Sequence, residues 1–198
     1  ARLWDVASGK ELQRLSHDDY VIAAVFSPDG QRLATASKDN TARLWDVASG
    51  KGLQRLSHEG GVVFSVSFSP DGQRLATASQ DMTARLWDVA SGKELQRLSH
   101  EGGVTAAVFS PDGQRLATAS PDKTARLWDV ASGKGLQRLL SHDDQVYAIS
   151  FSPDGQRLAT ASADNTARLW DVASGKELQR LSHEGEVTAA AFSPDGQR

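Results

Sequence analysis

The sequence predicts an all-β protein built as a tandem array of near-identical four-stranded antiparallel units packed side by side. Three observations carry this reading. Trp4, Trp45, Trp87, Trp128 and Trp170 follow one another at 41 or 42 residues, and the string Ser-Pro-Asp-Gly-Gln-Arg recurs from Ser27, Ser69, Ser110, Ser152 and Ser193. A period of this size marks units that cannot bury their own faces and must stack on their neighbours. Within each period, turn residues divide the chain into four short runs of strand-forming residues. The stretch that opens Val-Ala-Ser-Gly-Lys is broken by glycine too soon for a helix of ordinary length.

The copy from residue 17 to residue 57 shows each element in order. Val21 to Phe26 (VIAAVF) is apolar on both faces, which predicts an innermost strand buried between two layers. Ser27 to Gly30 (SPDG) has Pro at the second and Gly at the fourth place of a type I turn. Arg32 to Ser37 (RLATAS) follows, with Ala34 and Ala36 small enough for close sheet stacking. A tight turn at Lys38, Asp39 and Asn40 leads into Thr41 to Val47 (TARLWDV), and Ala48 to Lys51 form the next turn. Leu53 to Ser57 (LQRLS) is the most polar run and closes the unit. Polarity rising from first to fourth strand suits a unit whose first strand lines an axis and whose last faces water. Two insertions explain the uneven spacing, one among Gly60, Gly61 and Val62 and one at Leu139 and Leu140; both are expected as bulges or loop slack.

Composition narrows the function classes. With 22 Lys plus Arg against 25 Asp plus Glu, no long-range field draws the chain to nucleic acid or to an anionic membrane. The absence of cysteine removes disulfides, thiolate metal sites and cysteine nucleophiles. No apolar run approaches a membrane span and no signal-type segment opens the chain, so a cytoplasmic location is expected.

Leu-Trp-Asp at five sites, a His 13 or 14 residues after each Trp, and the intervening FSPDGQRLATASxDxTARLWD together resemble the WD40 repeat, in the style of bacterial and cyanobacterial near-identical tandem arrays. The likeness spans the chain, with Ser-His in place of the family's Gly-His. It implies a β-propeller of four-stranded antiparallel blades. It also implies a hydrogen-bonded set in each blade: His17, Thr35, Asp39 and Trp45; His58, Thr77, Asp81 and Trp87; His100, Thr118, Asp122 and Trp128; His142, Thr160, Asp164 and Trp170. A buried indole N–H, hydroxyl, imidazole and carboxylate each need a partner, and a closed chain of donors and acceptors supplies all of them.

The expected organisation is four full blades, at 17–57, 58–99, 100–141 and 142–182, plus complementary part-blades at both ends. Residues 1–16 would be two outer strands, and 183–198 would hold an inner strand at 187–193, with His183 and Trp4 a split fifth set. The segment LATASxDxT is the piece this blade lacks. The two parts can meet in one chain as a five-bladed ring, meet different chains, or be the cut edges of a longer array. Because the family usually closes with seven blades, the resemblance favours the last two.

Catalytic and metal readings fare poorly. Ser-His followed by an acidic residue occurs five times, as at Ser141, His142 and Asp143, but a triad needs convergence in space and an oxyanion hole. A motif present in every repeat points to a role in every blade. The five His cannot share a metal, since stacked sheets lie about 10 Å apart and zinc ligands about 2 Å from the ion. The recurrent Ser-Gly-Lys lacks the first glycine and the helix of a P-loop, and the acidic loops lack calcium-loop spacing. No cofactor is expected, and no enzyme activity.

Function must then be sought where the copies differ. One set of varied positions leads into the first strands and includes Tyr20, Ile22, Phe64, Thr105, Gln145, Tyr147 and Glu186; the other surrounds the tight turn and includes Lys38, Asn40, Gln80, Met82 and Lys123. The resemblance places both on one face, around the mouth of a central channel, with the SPDGQ and ASGK turns on the other. The expected function is a scaffold or sensor module that binds a protein or peptide on this varied face, with Tyr20, Phe64 and Tyr147 as anchors and acidic residues favouring a basic partner. The alternative is a self-assembling repeat, natural or engineered, whose chains complete a ring together.

Overall fold

The computed structural model of the chain describes residues 1–139 and 142–198, with residues 137–139 described by backbone alone. The insertion at Leu139 and Leu140 therefore lies, at Leu140, outside the described residues. Strands β1 (Arg2–Trp4) and β2 (Glu11–Arg14) form a two-stranded sheet. Four four-stranded sheets follow. The first holds β3 (Val21–Phe26), β4 (Arg32–Ser37), β5 (Thr41–Asp46) and β6 (Gly52–Ser57), and the second β7 (Val63–Phe68), β8 (Arg74–Ser79), β9 (Thr83–Asp88) and β10 (Glu94–Ser99). The third holds β11 (Ala106–Phe109), β12 (Arg115–Ala119), β13 (Ala125–Asp129) and β14 (Gly135–Leu139), and the fourth β15 (Val146–Phe151), β16 (Arg157–Ser162), β17 (Thr166–Asp171) and β18 (Glu177–Ser182). In each, strand order follows chain order and every pairing is antiparallel, as expected for propeller blades. There is no helix among the described residues.

Turn chemistry sets the strand limits. In the Ser-Pro-Asp-Gly turn the Gly30 N–H donates to the Ser27 carbonyl at 2.8 Å, and Ser27 Oγ donates to Asp29 Oδ1. The tight turn before the third strand puts its third residue in the left-handed region, at Asn40, Met82, Lys123 and Asn165. Asn tolerates that region better than other non-glycine residues, so it is the natural occupant.

The core lies between sheets. One face of the first blade, with Ala34, Ala36, Ala42, Leu44 and Leu56, packs on Val63, Val66, Leu75 and Trp87 of the second. The second and third blades repeat this contact, as do the third and fourth, and Leu3 and Leu15 of β1–β2 pack likewise on Leu33 and Trp45. Buried alanines let the sheets approach while the leucines and indoles fill the space between them. The first strands β3, β7, β11 and β15 contact one another in sequence, so they lie together along the inner side of the array.

Two expectations need correction. The first strand is not buried on both faces: in β3, Val21, Ala23 and Val25 are half-buried, while Ile22, Ala24 and Phe26 are exposed. A blade's inner strand is covered by its neighbours' inner strands, and the two-stranded sheet preceding β3 has none. Residues 187–193 form no strand, because the second strand with which every sister inner strand pairs is missing from the sequence. The segment is tied at Val187, whose N–H donates to the Ser162 carbonyl at 3.0 Å. The insertion among Gly60, Gly61 and Val62 is loop slack ahead of β7, while register skips Ile22, Phe64 and Tyr147, one in each of three blades, whether or not the blade carries an extra residue. The ring is left open, with β1–β2 at one end and β15–β18 at the other.

Candidate binding face and its frame

Alternation along the third strand places Thr41, Arg43 and Trp45 on one side of the first blade. Trp45 Nε1–H donates to Thr35 Oγ1 at 2.9 Å, Thr35 Oγ1 lies 2.7 Å from His17 Nε2, and His17 Nδ1 lies 2.8 Å from Asp39 Oδ2. The same chain of contacts joins Trp87, Thr77, His58 and Asp81 (2.9, 2.8 and 2.8 Å), and Trp128, Thr118, His100 and Asp122 (2.8, 2.7 and 3.1 Å). Trp170, Thr160, His142 and Asp164 complete the fourth (2.9, 2.7 and 2.8 Å). Each imidazole also meets its indole edge to face at 5.9–6.1 Å. The split pair differs: His183 and Trp4 are both exposed.

This network assigns the tautomer. The Thr hydroxyl accepts from the indole and donates to Nε2, so the neutral ring carries its proton on Nδ1 and donates to the carboxylate. Burial holds His17, His58 and His142 below the ordinary imidazole value, against the opposing pull of their aspartates. Burial pushes Asp39 and Asp164 upward, but the hydroxyls of Thr41 and Thr166, backbone N–H donors and the histidines outweigh it and hold both carboxyls well below the carboxylate range. Asp81 and Asp122 are lowered by the same balance.

Sequence reasoning missed part of the frame. Arg43, Arg85, Arg126 and Arg168 reach the same aspartates at 3.0, 2.7, 3.2 and 2.8 Å, and Thr41, Thr83, Thr124 and Thr166 bond the other carboxylate oxygen. The signal was present in the unvarying Thr-Ala-Arg-Leu-Trp run read with a period of two. The last serine of the second strand was missed as well: Ser37 Oγ donates to the Tyr20 carbonyl, Ser79 to Gly61 and Ser120 to Gly103.

These bonds bring the two varied sets together at one end of each blade. The N–H of Lys38 donates to the Tyr20 carbonyl, that of Gln80 to Val62, and that of Ala163 to Gln145. Tyr20 is 76% exposed beneath the Lys38 ammonium, which sits 5.5 Å from its ring centre; Met82 is 52% exposed. Ile22, Gln80, Lys123, Gln145 and Glu186 are exposed, while Asn40 and Thr105 are half-buried. Phe64 and Tyr147, expected as open anchors, are half-buried, and the Tyr147 hydroxyl donates to Glu186 at 3.1 Å. Neighbouring inner strands cover them where Ile22 has less cover. The other end of each blade carries the SPDG and ASGK turns, joined there by bonds such as Val47 N–H to the Gln31 carbonyl. Shallow clefts of about 420 and 430 Å³ recur there at equivalent places, one beside Pro70 and Asp112 and one beside Pro28 and Asp71.

The sequence matches the WD40 family (WD domain, G-beta repeat) over residues 9–46, 50–88, 92–129 and 133–171. That is well over half of the chain, and the protein belongs to the WD40-repeat family. Each matched repeat takes the outer strand of one sheet with the three inner strands of the next, β2 with β3–β5 for instance, so every sequence repeat spans a blade boundary. WD40 repeats generally serve as non-catalytic scaffolds for protein and peptide interactions. No curated protein matches the chain.

Proposed function

We propose that this chain is a non-catalytic scaffold that holds a protein or peptide on the end of the blades where the varied residues gather. One observation carries the reading: in three blades the residue turned out of the ladder by a bulge is a varied one, Ile22, Phe64 or Tyr147, at the end of the blades that also carries the exposed Tyr20 and Met82. Bulges re-aim side chains next to functional sites. Met82 and Lys123 also hold a left-handed backbone where two sister blades have Asn, and such outliers concentrate at binding sites. Four of the imidazoles a hydrolase could use, His17, His58, His100 and His142, are engaged inside the blades by Thr and Asp. The test is affinity capture with the parent chain and with Tyr20→Ala plus Met82→Ala. Loss of at least tenfold in recovery of a partner captured by the parent is expected; equal recovery removes this face from the reading.

A second reading, that copies of the chain complete one another, is favoured by the open ends. Trp4 is 51% exposed and Leu181 46%, whereas Trp87 is 5% and Leu98 1%. Ser67 Oγ donates to Ala107 of the next inner strand, and its counterpart Ser150 Oγ is buried with no partner. Mass in solution separates the readings: a discrete oligomer dispersed by Trp4→Lys supports completion between chains, and a monomer at all concentrations excludes it.

A further inference from the structure

The fourth strands come in two kinds that the frame does not explain. Those of β2, β10 and β18 begin with Glu, and those of β6 and β14 with Gly. Each glutamate is clamped between two arginines. Glu94 binds Arg85 at 3.2 Å and Arg97 at 2.9 Å, Glu177 binds Arg168 at 3.4 Å and Arg180 at 3.1 Å, and Glu11 binds Arg2 and Arg14, each at 3.1 Å. In the first blade the two arginines remain, opposite each other in register as Arg43 and Arg55, but Gly52 supplies no carboxylate.

What is left is a notch of about 310 Å³, lined by Arg43, Trp45, Gly52, Leu53, Gln54 and Arg55. Arg43 is 17% exposed where Arg85 is 3%. It keeps its bonds to Asp39 and to Asp18, while Arg55 is 61% exposed with its nearest carboxylate, Asp18, at 3.9 Å. The notch has room for a side chain: a Cβ on Gly52 would sit 3.6 Å from the Trp45 ring, an ordinary contact, and the backbone there is not left-handed. In the third blade a Cβ on Gly135 would likewise sit 3.7 Å from the Trp128 ring, beside an Arg126 that is 18% exposed.

From this internal comparison we infer that the notch at Gly52 binds the carboxylate of an acidic side chain on a partner protein. That carboxylate takes the place between Arg43 and Arg55 that Glu94 fills between Arg85 and Arg97. Arginine suits this role because its planar fork pairs with a carboxylate through two parallel bonds. The chain's own repeats supply the template for both the geometry and the ligand class. The site lies along the third and fourth strands, on the blade's outer side, and Arg43 links it to Asp39 of the tight turn. A single carboxylate held near the surface binds weakly.

The probe is a synthetic ten-residue peptide of alternating Glu and Gly, with Gln in place of Glu as control, titrated against the full chain at low and at physiological salt. Binding of the Glu peptide at least tenfold tighter than the Gln peptide, weakening with salt, is expected. The variant Gly52→Gln fills the notch without altering net charge and should abolish that preference. Arg55→Gln should reduce it severalfold, and each variant's thermal unfolding is compared with the parent's to confirm folding. Equal binding of the two peptides, or full binding by a folded Gly→Gln variant or, should that variant fail to fold, by Arg55→Gln, would overturn the assignment.

Discussion

Trp170 and Thr160 are diagonal neighbours across the third and second strands of the last blade, the indole N–H donating to the hydroxyl at 2.9 Å with the tryptophan fully buried. The same hydroxyl lies 2.7 Å from His142 Nε2, so one oxygen joins the indole to the imidazole, and through it to the carboxylate of Asp164. Removing that oxygen orphans a donor and an acceptor together. The blades are therefore most sensitive at a residue of modest size.

Thr77→Val in the second blade keeps the shape and deletes the hydroxyl, leaving Trp87 Nε1–H and His58 Nε2 without partners in a buried site. Each unmade buried bond costs about 1–3 kcal/mol. A loss of about 2 kcal/mol or more is expected in urea unfolding, with Thr77→Ser close to the parent. Equal midpoints for Val and Thr would show that the chain of contacts does not stabilise the blade.

Stability should depend on pH in two stages. The folded chain holds His17, His58 and His142 below their ordinary value, so on acidification the unfolded chain takes up protons first. Stability is full above the unfolded imidazole value of about 6.5 and falls as pH drops through and below it. The aspartates Asp39, Asp81, Asp122 and Asp164 are also depressed, so their contribution is present above about pH 3.9 and is lost on further acidification. Thermal midpoints at constant ionic strength should be level above pH 7, decline from about pH 6.5 and drop steeply below about pH 4. A midpoint unchanged between pH 7.5 and pH 5 would remove the histidines from the account.

Met82 occupies a left-handed position with φ of 65°. Met82→Asn, the residue two of its three sisters carry, should stabilise the chain by about 0.5–1 kcal/mol, since a side chain other than Asn or Gly pays roughly 1–2 kcal/mol there. If binding uses the Met82 side chain, the same variant will capture less partner while melting at a higher temperature.

Gly61 lies against the tight turn of its own blade, and a Cβ there would stand 2.4 Å from the backbone nitrogen of Asp81. Gly61→Ala should lower stability by about 2 kcal/mol or more, in the range of an overpacked site. Gly185, with nothing within 4 Å, provides the control: Gly185→Ala should be neutral. Similar midpoints for the two variants would mean that the loop before β7 can move aside.

The membership of each His-Thr-Asp-Trp set came from the likeness to the WD40 repeat, whereas the repeat, the four strands of each unit and their turns were legible in the sequence itself. All of the latter are local or periodic: a turn is set by residues within four places, a face by alternation, and a copied unit by its own recurrence. The arginines joining those sets, the exposure of Ile22 against the cover over Phe64 and Tyr147, the bulges beneath those three residues and the notch at Gly52 were decided by the tertiary structure. Each depends on what a neighbouring strand or sheet brings to within a few ångströms, and near-identical copies acquire different surroundings once stacked. Position in the array therefore distinguishes residues that the repeat by itself treats as equivalent.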